Sequence, residues 1–147
     1  MKNLLSFLFV AVLITTAIAA EPWEGRYVWN NSGKEELNGH VHQSVTLDLS
    51  ISDASNAKLS CEVNWTPGMD ADFGAIIDRK NIIDRTLTDG TVVKVIPFSF
   101  EDSNGNKGTG EVEIKGLAAT LRITVANRVL PEAARQYGTY QLRKQTN

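Results

Sequence analysis

Trp23-Glu24-Gly25-Arg26-Tyr27-Val28-Trp29 decides how this chain is read, because its Gly-x-Tyr is echoed near the far end by Gly138-Thr139-Tyr140-Gln141-Leu142. Counting by twos places Trp23, Gly25, Tyr27 and Trp29 on one face and Glu24, Arg26, Val28 and Asn30 on the other. That is the period of a half-buried strand with its aromatic face inward. Pairing of residues 23–29 with residues 138–143 would close a meander on itself and leave no free edge.

Residues 1–20 read as a signal peptide. Lys2 gives a short positive start, Leu4 to Ile14 an apolar run, and Ala17-Ile18-Ala19 a small-x-small cleavage site. The run is too short for a permanent membrane anchor, and no cysteine follows the cleavage site to carry a lipid. The expectation is a soluble, monomeric protein, periplasmic or secreted, with one β-barrel domain over residues 21–147. Removing Lys2 shifts the formal charge from −2 to one unit more negative. Such weak acidity argues against nucleic acid, which demands a clustered basic face. Cys61 is the only cysteine, so no intrachain disulfide forms. With Ser60 and Glu62 beside it there is no base or cation to activate it, and a buried, quiet thiol is expected.

Along the chain, Asn30 to His40 is polar, carries the turn signals Ser32-Gly33 and Asn38-Gly39, and reads as a long loop. Val41 to Ile51 and Ala57 to Trp65 alternate cleanly and form a hairpin. After Thr66-Pro67-Gly68, residues 67–80 read as a loop or single helical turn, followed by a strand from Asn81 to Leu87. The tandem Ile76-Ile77-Asp78-Arg79 and Ile82-Ile83-Asp84-Arg85 fits equally well as two short strands around Lys80-Asn81. In Thr91 to Phe100 the apolar phase slips between Val95 and Phe98, which suggests a bulge at Ile96-Pro97. Asp102 to Gly110 reads as a loop, Glu111 to Ile114 and Leu117 to Val125 as strands, and Tyr137 to Arg143 as the last strand. The sum is an all-β fold: an antiparallel up-and-down barrel of about eight strands, with one short helical turn near residues 131–136 opened by Pro131.

Trp23-x-Gly25-x-Tyr27, the meander, the helical turn after Leu130 and the closing Gly138-x-Tyr140 together resemble the lipocalin-like, calycin-type barrels found as small exported proteins in bacteria. The resemblance implies a binding protein rather than an enzyme. On this reading a small apolar molecule occupies the barrel, lined by Trp23, Tyr27, Trp29 and Trp65, with Phe73 contributing from a loop. The alternative is a protein-binding module, of inhibitor or immunity type, acting through the loops at 30–40 and 67–80, where Met69, Phe73 and Ile76 offer apolar contacts. A solid interior favours the second reading and a hollow one the first.

Signals for chemistry are thin. His40 and His42 are spaced to share a metal on one strand face, but a zinc site needs a third ligand, for which Glu35, Glu36 and Asp48 are the nearest. A solvated strand edge is the plainer reading. Asp70-Ala71-Asp72 and Asp102-Ser103-Asn104-Gly105-Asn106 share oxygens with calcium loops but lack the closing glutamate, and turn chemistry accounts for both. No Gly-x-Ser-x-Gly is present, so no catalytic residue is assigned, no cofactor is expected, and a metal-dependent hydrolase is the least supported class. Asn30 and Asn64 each open an N-x-Ser/Thr acceptor pattern on the outward phase.

Overall fold

A computed structural model describes residues 20–37, 40–66, 70–129 and 137–146, with the backbone alone described at 31–37, 40–43 and 65–66. Its strands are β1 (Gly25–Leu37), β2 (His40–Ile51), β3 (Asn56–Thr66), β4 (Ala71–Asp78), β5 (Ile83–Thr86), β6 (Val92–Glu101), β7 (Lys107–Lys115), β8 (Ala118–Asn127) and β9 (Thr139–Lys144). One 3-10 turn, Arg79–Asn81, separates β4 from β5. All nine strands belong to one curled antiparallel sheet in the order β4-β3-β2-β1-β9-β8-β7-β6-β5, a half-barrel.

The terminal strands pair as the echoed Gly-x-Tyr suggests, with Tyr27 opposite Lys144 and Val28 opposite Arg143. Lys144 laces the junction. Its Nζ donates to the Pro22 carbonyl at 2.8 Å and lies over the Tyr27 ring, while Gln145 N–H donates to the Arg26 carbonyl. Gly25, at φ +137°, makes room for this side chain, since a Cβ there would stand 2.7 Å from Lys144 Cε.

Closure of the termini does not remove the edges. They fall instead at β4 and β5, which are consecutive in the chain. β4 meets the end of β6 in an antiparallel bridge between Phe73 and Asp102, and β5 is also antiparallel to β6, so β4 and β5 run the same way. They are two pieces of one strand that changes partner at Arg79–Asn81, the first paired with β3 and the second with β6. Counted so, the meander has the expected eight members. The tandem Ile-Ile-Asp-Arg marks the two pieces, and the loop expected over 67–80 gives way to β4 from Ala71 onward.

Pro97 removes one donor from the seam between β4 and β6. Ser103 N–H donates to the Asp72 carbonyl at 2.9 Å. In antiparallel alternation the next β6-side donors toward β4 would come from residues 101, 99 and 97. Residue 97 has no N–H to give.

Three further expectations change. Residues 30–37 and 40 extend the β1–β2 hairpin, with a register irregularity between Asn30 and Glu35, and do not form a loop. Backbone pairing drives this extension, because the stretch has no apolar alternation. The β6–β7 ladder runs without a shift from Lys94 opposite Ile114 to Glu101 opposite Lys107, so there is no bulge at Ile96-Pro97. Instead Val93 and Val95 are buried on the outer face, outside the interior cluster. Their cross-strand neighbours are Arg85, Ile83 and Glu113, and Arg85, Glu111, Glu113 and Arg122 form an ion-pair network on that same face. Finally, the loop after β6 ends at Asn106, and Gly108 and Gly110 lie in β7 directly opposite Phe100 and Phe98. The expected helical turn at 131–136 lies outside the described residues.

Candidate functional site

The interior is built of rings and aliphatic side chains in mutual contact. Phe73, 5% exposed, stacks on Phe98 with centroids 5.7 Å apart and lies 4.5 Å from Phe100. Tyr137 closes this group 5.5 Å from Phe100. These spacings are those of favourable aromatic pairs. Phe73 is therefore an inward residue of β4 and belongs to the core, contrary to its expected place on a loop. Ile76, of the same stretch, is outward and 68% exposed.

Of the other residues expected to line a cavity, Tyr27 is fully buried and its hydroxyl donates to the Trp23 carbonyl at 2.9 Å. Burial pushes the Tyr27 phenol up to about 12. Trp23 is itself buried, and Trp29 packs half-buried against Tyr140 at 5.7 Å. The backbone register sets His42 opposite Trp65 on one side and Glu35 on the other. The side chains of His40, His42 and Trp65 lie outside the described residues. Met69 does as well.

Asp102 and Tyr137 form a polar anchor beside the rings. Asp102 Oδ1 accepts from the N–H groups of Asn104 and Asn106, and Oδ2 from Asn106 Nδ2 and from the Tyr137 hydroxyl at 2.8 Å. A buried carboxylate with four donors is a satisfied structural group. Burial, and then the Asp102 carboxylate, push the Tyr137 phenol well above its ordinary range. Cys61 is buried and desolvation raises its thiol far above normal, as its place between Leu59 and Val63 implies.

Two hollows lie over the outward face of the sheet and one at the rim of the interior. One of about 560 Å³ follows the seam between Ile77 and Phe98. Another, about 300 Å³, opens beside Trp23, with Lys94 and Asp84 on its rim, these two being an ion pair at 2.7 Å. The third, about 490 Å³, lies over Gly74 on the face shared by β3 and β4 and is rimmed by Lys58, Ser60, Glu62 and Asp72. Among the described residues no three His, Cys, Asp or Glu side chains are placed to hold a metal ion.

The sequence reading missed Glu62 and Asp72. They face each other as direct partners across β3 and β4. Opposite charges face each other where such pairs occur elsewhere on the sheet: Arg26 with Asp48, Asp84 with Lys94, Glu101 with Lys107 and Glu111 with Arg122. Alternation over Ala57 to Trp65 turns Glu62 outward, but Asp72 fell in a stretch read as a loop, and only the register shows that the two meet.

No family model, curated protein or solved structure matches this chain.

Proposed function

We propose that this is an exported, non-catalytic binding protein that takes a protein partner on the outside of its sheet. The observation that supports the reading is the solid interior: the inward residues Tyr27, Leu47, Leu59, Ile96 and Leu121 are fully buried and pack into one cluster with the Phe73, Phe98 and Phe100 rings. A small apolar ligand of ordinary size needs a pocket of about 300 Å³ or more, and the hollow at the rim of the interior, beside Trp23 and Ile114, is no larger than that minimum. Export rests on the signal-peptide reading of residues 1–20. The likeness to lipocalin-like barrels belongs to the same reading, with the curled up-and-down sheet as its support.

A titration with cis-parinaric acid, followed by probe and tryptophan fluorescence, tests the choice between outside and inside. Occupation of the outside predicts no saturable one-to-one binding and no rise in thermal midpoint. Saturable binding that raises the midpoint would restore the interior-ligand reading. A second reading, a small ligand at the hollow beside Trp23, is favoured by that tryptophan's place in its wall. It predicts that Trp23→Phe removes a ligand-induced fluorescence change while Trp29→Phe does not.

A further inference from the structure

Three neighbouring cross-strand rows on the outward face of β3 and β4 are Glu62 opposite Asp72, Ser60 opposite Gly74, and Lys58 opposite Ile76. Each row is unusual in its own way. Like charges placed directly opposite one another on a sheet repel and destabilise it. Glu62, Asp70 and Asp72 are also the described acids whose carboxylates have neither an ion pair nor a hydrogen bond. Arg26, on the same outward face, is already bound through both arms to Asp48.

Gly74 adds a second, independent anomaly. Glycine within a strand costs stability and commonly marks a bulge or a place where another backbone comes close. The ladder from Asn56–Asp78 to Val63–Ala71 runs through Gly74 without a shift, so there is no bulge. A Cβ at 74 would meet only the Leu59 carbonyl, at an ordinary 3.6 Å. The fold has no need of glycine here, yet its absent side chain forms the floor of the 490 Å³ hollow. Ile76, next along the face, is 68% exposed.

From this we infer that the outer face of β3 and β4 is the docking surface for a basic, extended segment of a partner protein. The inference rests on the proposed outside-binding function and deepens it. Charge complementarity selects the occupant: a lysine or arginine side chain laid between Glu62 and Asp72 relieves their repulsion, the bare surface at Gly74 admits the partner's backbone, and Ile76 meets an apolar neighbour one row on.

The test uses the full protein without its leader, labelled with nitrogen-15, and a capped octapeptide alternating lysine with valine. Saturable shift changes are expected at Ser60, Glu62, Asp72 and Gly74. The Glu62→Gln/Asp72→Asn double variant should weaken binding about tenfold, and added salt should weaken it as well. Gly74→Val, whose Cβ has room, should keep or raise the thermal midpoint yet abolish binding. The glutamate-for-lysine peptide should not bind. Shifts at another surface, no shifts at all, or undiminished binding by the double variant would overturn the inference, as would reproduction of the same shifts by calcium chloride alone. If the peptide fails while cis-parinaric acid also fails to bind, the face is wrong and the outside-binding function stands. Saturable cis-parinaric acid binding would sink that function itself.

Discussion

Phe98 lies across Gly110 of the neighbouring strand so closely that a Cβ at position 110 would stand 2.1 Å from the ring's Cζ. Phe100 and Gly108 repeat the arrangement one row along, with 2.9 Å to Cε1. Phe-x-Phe opposite Gly-x-Gly lets both rings lie flat over the β7 backbone, which brings Phe73 and Tyr137 into contact with them. Gly110→Ala should therefore destabilise the fold by about 1–3 kcal/mol, the usual cost of overpacking a core. Gly74→Ala, in open surroundings, should be neutral or slightly stabilising. Urea unfolding of the two variants measures the contrast, and equal losses would contradict this account of the glycines.

The Asp102–Tyr137 hydrogen bond ties the turn after β6 to the approach of β9, residues 35 apart. Tyr137→Phe should cost about 1–2 kcal/mol and Asp102→Ala about 2–4 kcal/mol, because the latter leaves several buried donors without an acceptor. A double-mutant cycle should show coupling between the two. Strict additivity would mean that the bond contributes nothing.

Alternation made most of this fold legible, and the places where it failed share a cause. Val45 to Leu49 and Ala57 to Val63 bury every second residue, as expected. In β4 the exposed Ile76 stands beside the buried Ile77, and the doubled isoleucine blurs the period of two. Val93 and Val95 are apolar on a face that the meander pattern assigns to solvent, so they imitate a phase slip. Residues 35–37 pair through their backbone with no apolar signal in the sequence. The candidate site was hidden for a different reason. Glu62 and Asp72 are ten residues apart in the chain, and their opposition depends on the β3–β4 register, which alternation alone does not give.

Removal of residues 138–147 should strip β9 from between β1 and β8, with the loss of Lys144, Tyr140 and Leu142. Two new edges and part of the core would be exposed together. The truncated protein should lose its cooperative thermal transition and associate, as read by calorimetry and sedimentation. A stable monomer with an unchanged midpoint would contradict the pairing of the termini.

Tyr27, Tyr137 and Cys61 all titrate above their ordinary values in the folded chain because burial disfavours their charged forms. Raised acids of this kind contribute stability that is intact below the unfolded values, 9.0 for the thiol and 10.0 for the phenols, and is lost as pH rises toward the folded ones. Stability should therefore be insensitive to these groups below about pH 9 and fall steadily above it. Tyrosinate absorbance in the native protein should lag behind that in denaturant. Coincident titrations would place the phenols in solvent.

The claim that the outer face of β3 and β4 is shaped for a cationic partner, at some cost to the protein alone, is tested most directly by the urea midpoint of Asp72→Lys. This substitution sets lysine opposite Glu62, in the pattern of the sheet's other charged rows. The account predicts a midpoint above that of the unaltered protein, equivalent to about 0.2–1 kcal/mol of added stability at low ionic strength, with the gain shrinking as salt is added. A midpoint unchanged or lowered at low salt would show that Glu62 and Asp72 do not strain one another, and the docking face would lose its physical basis.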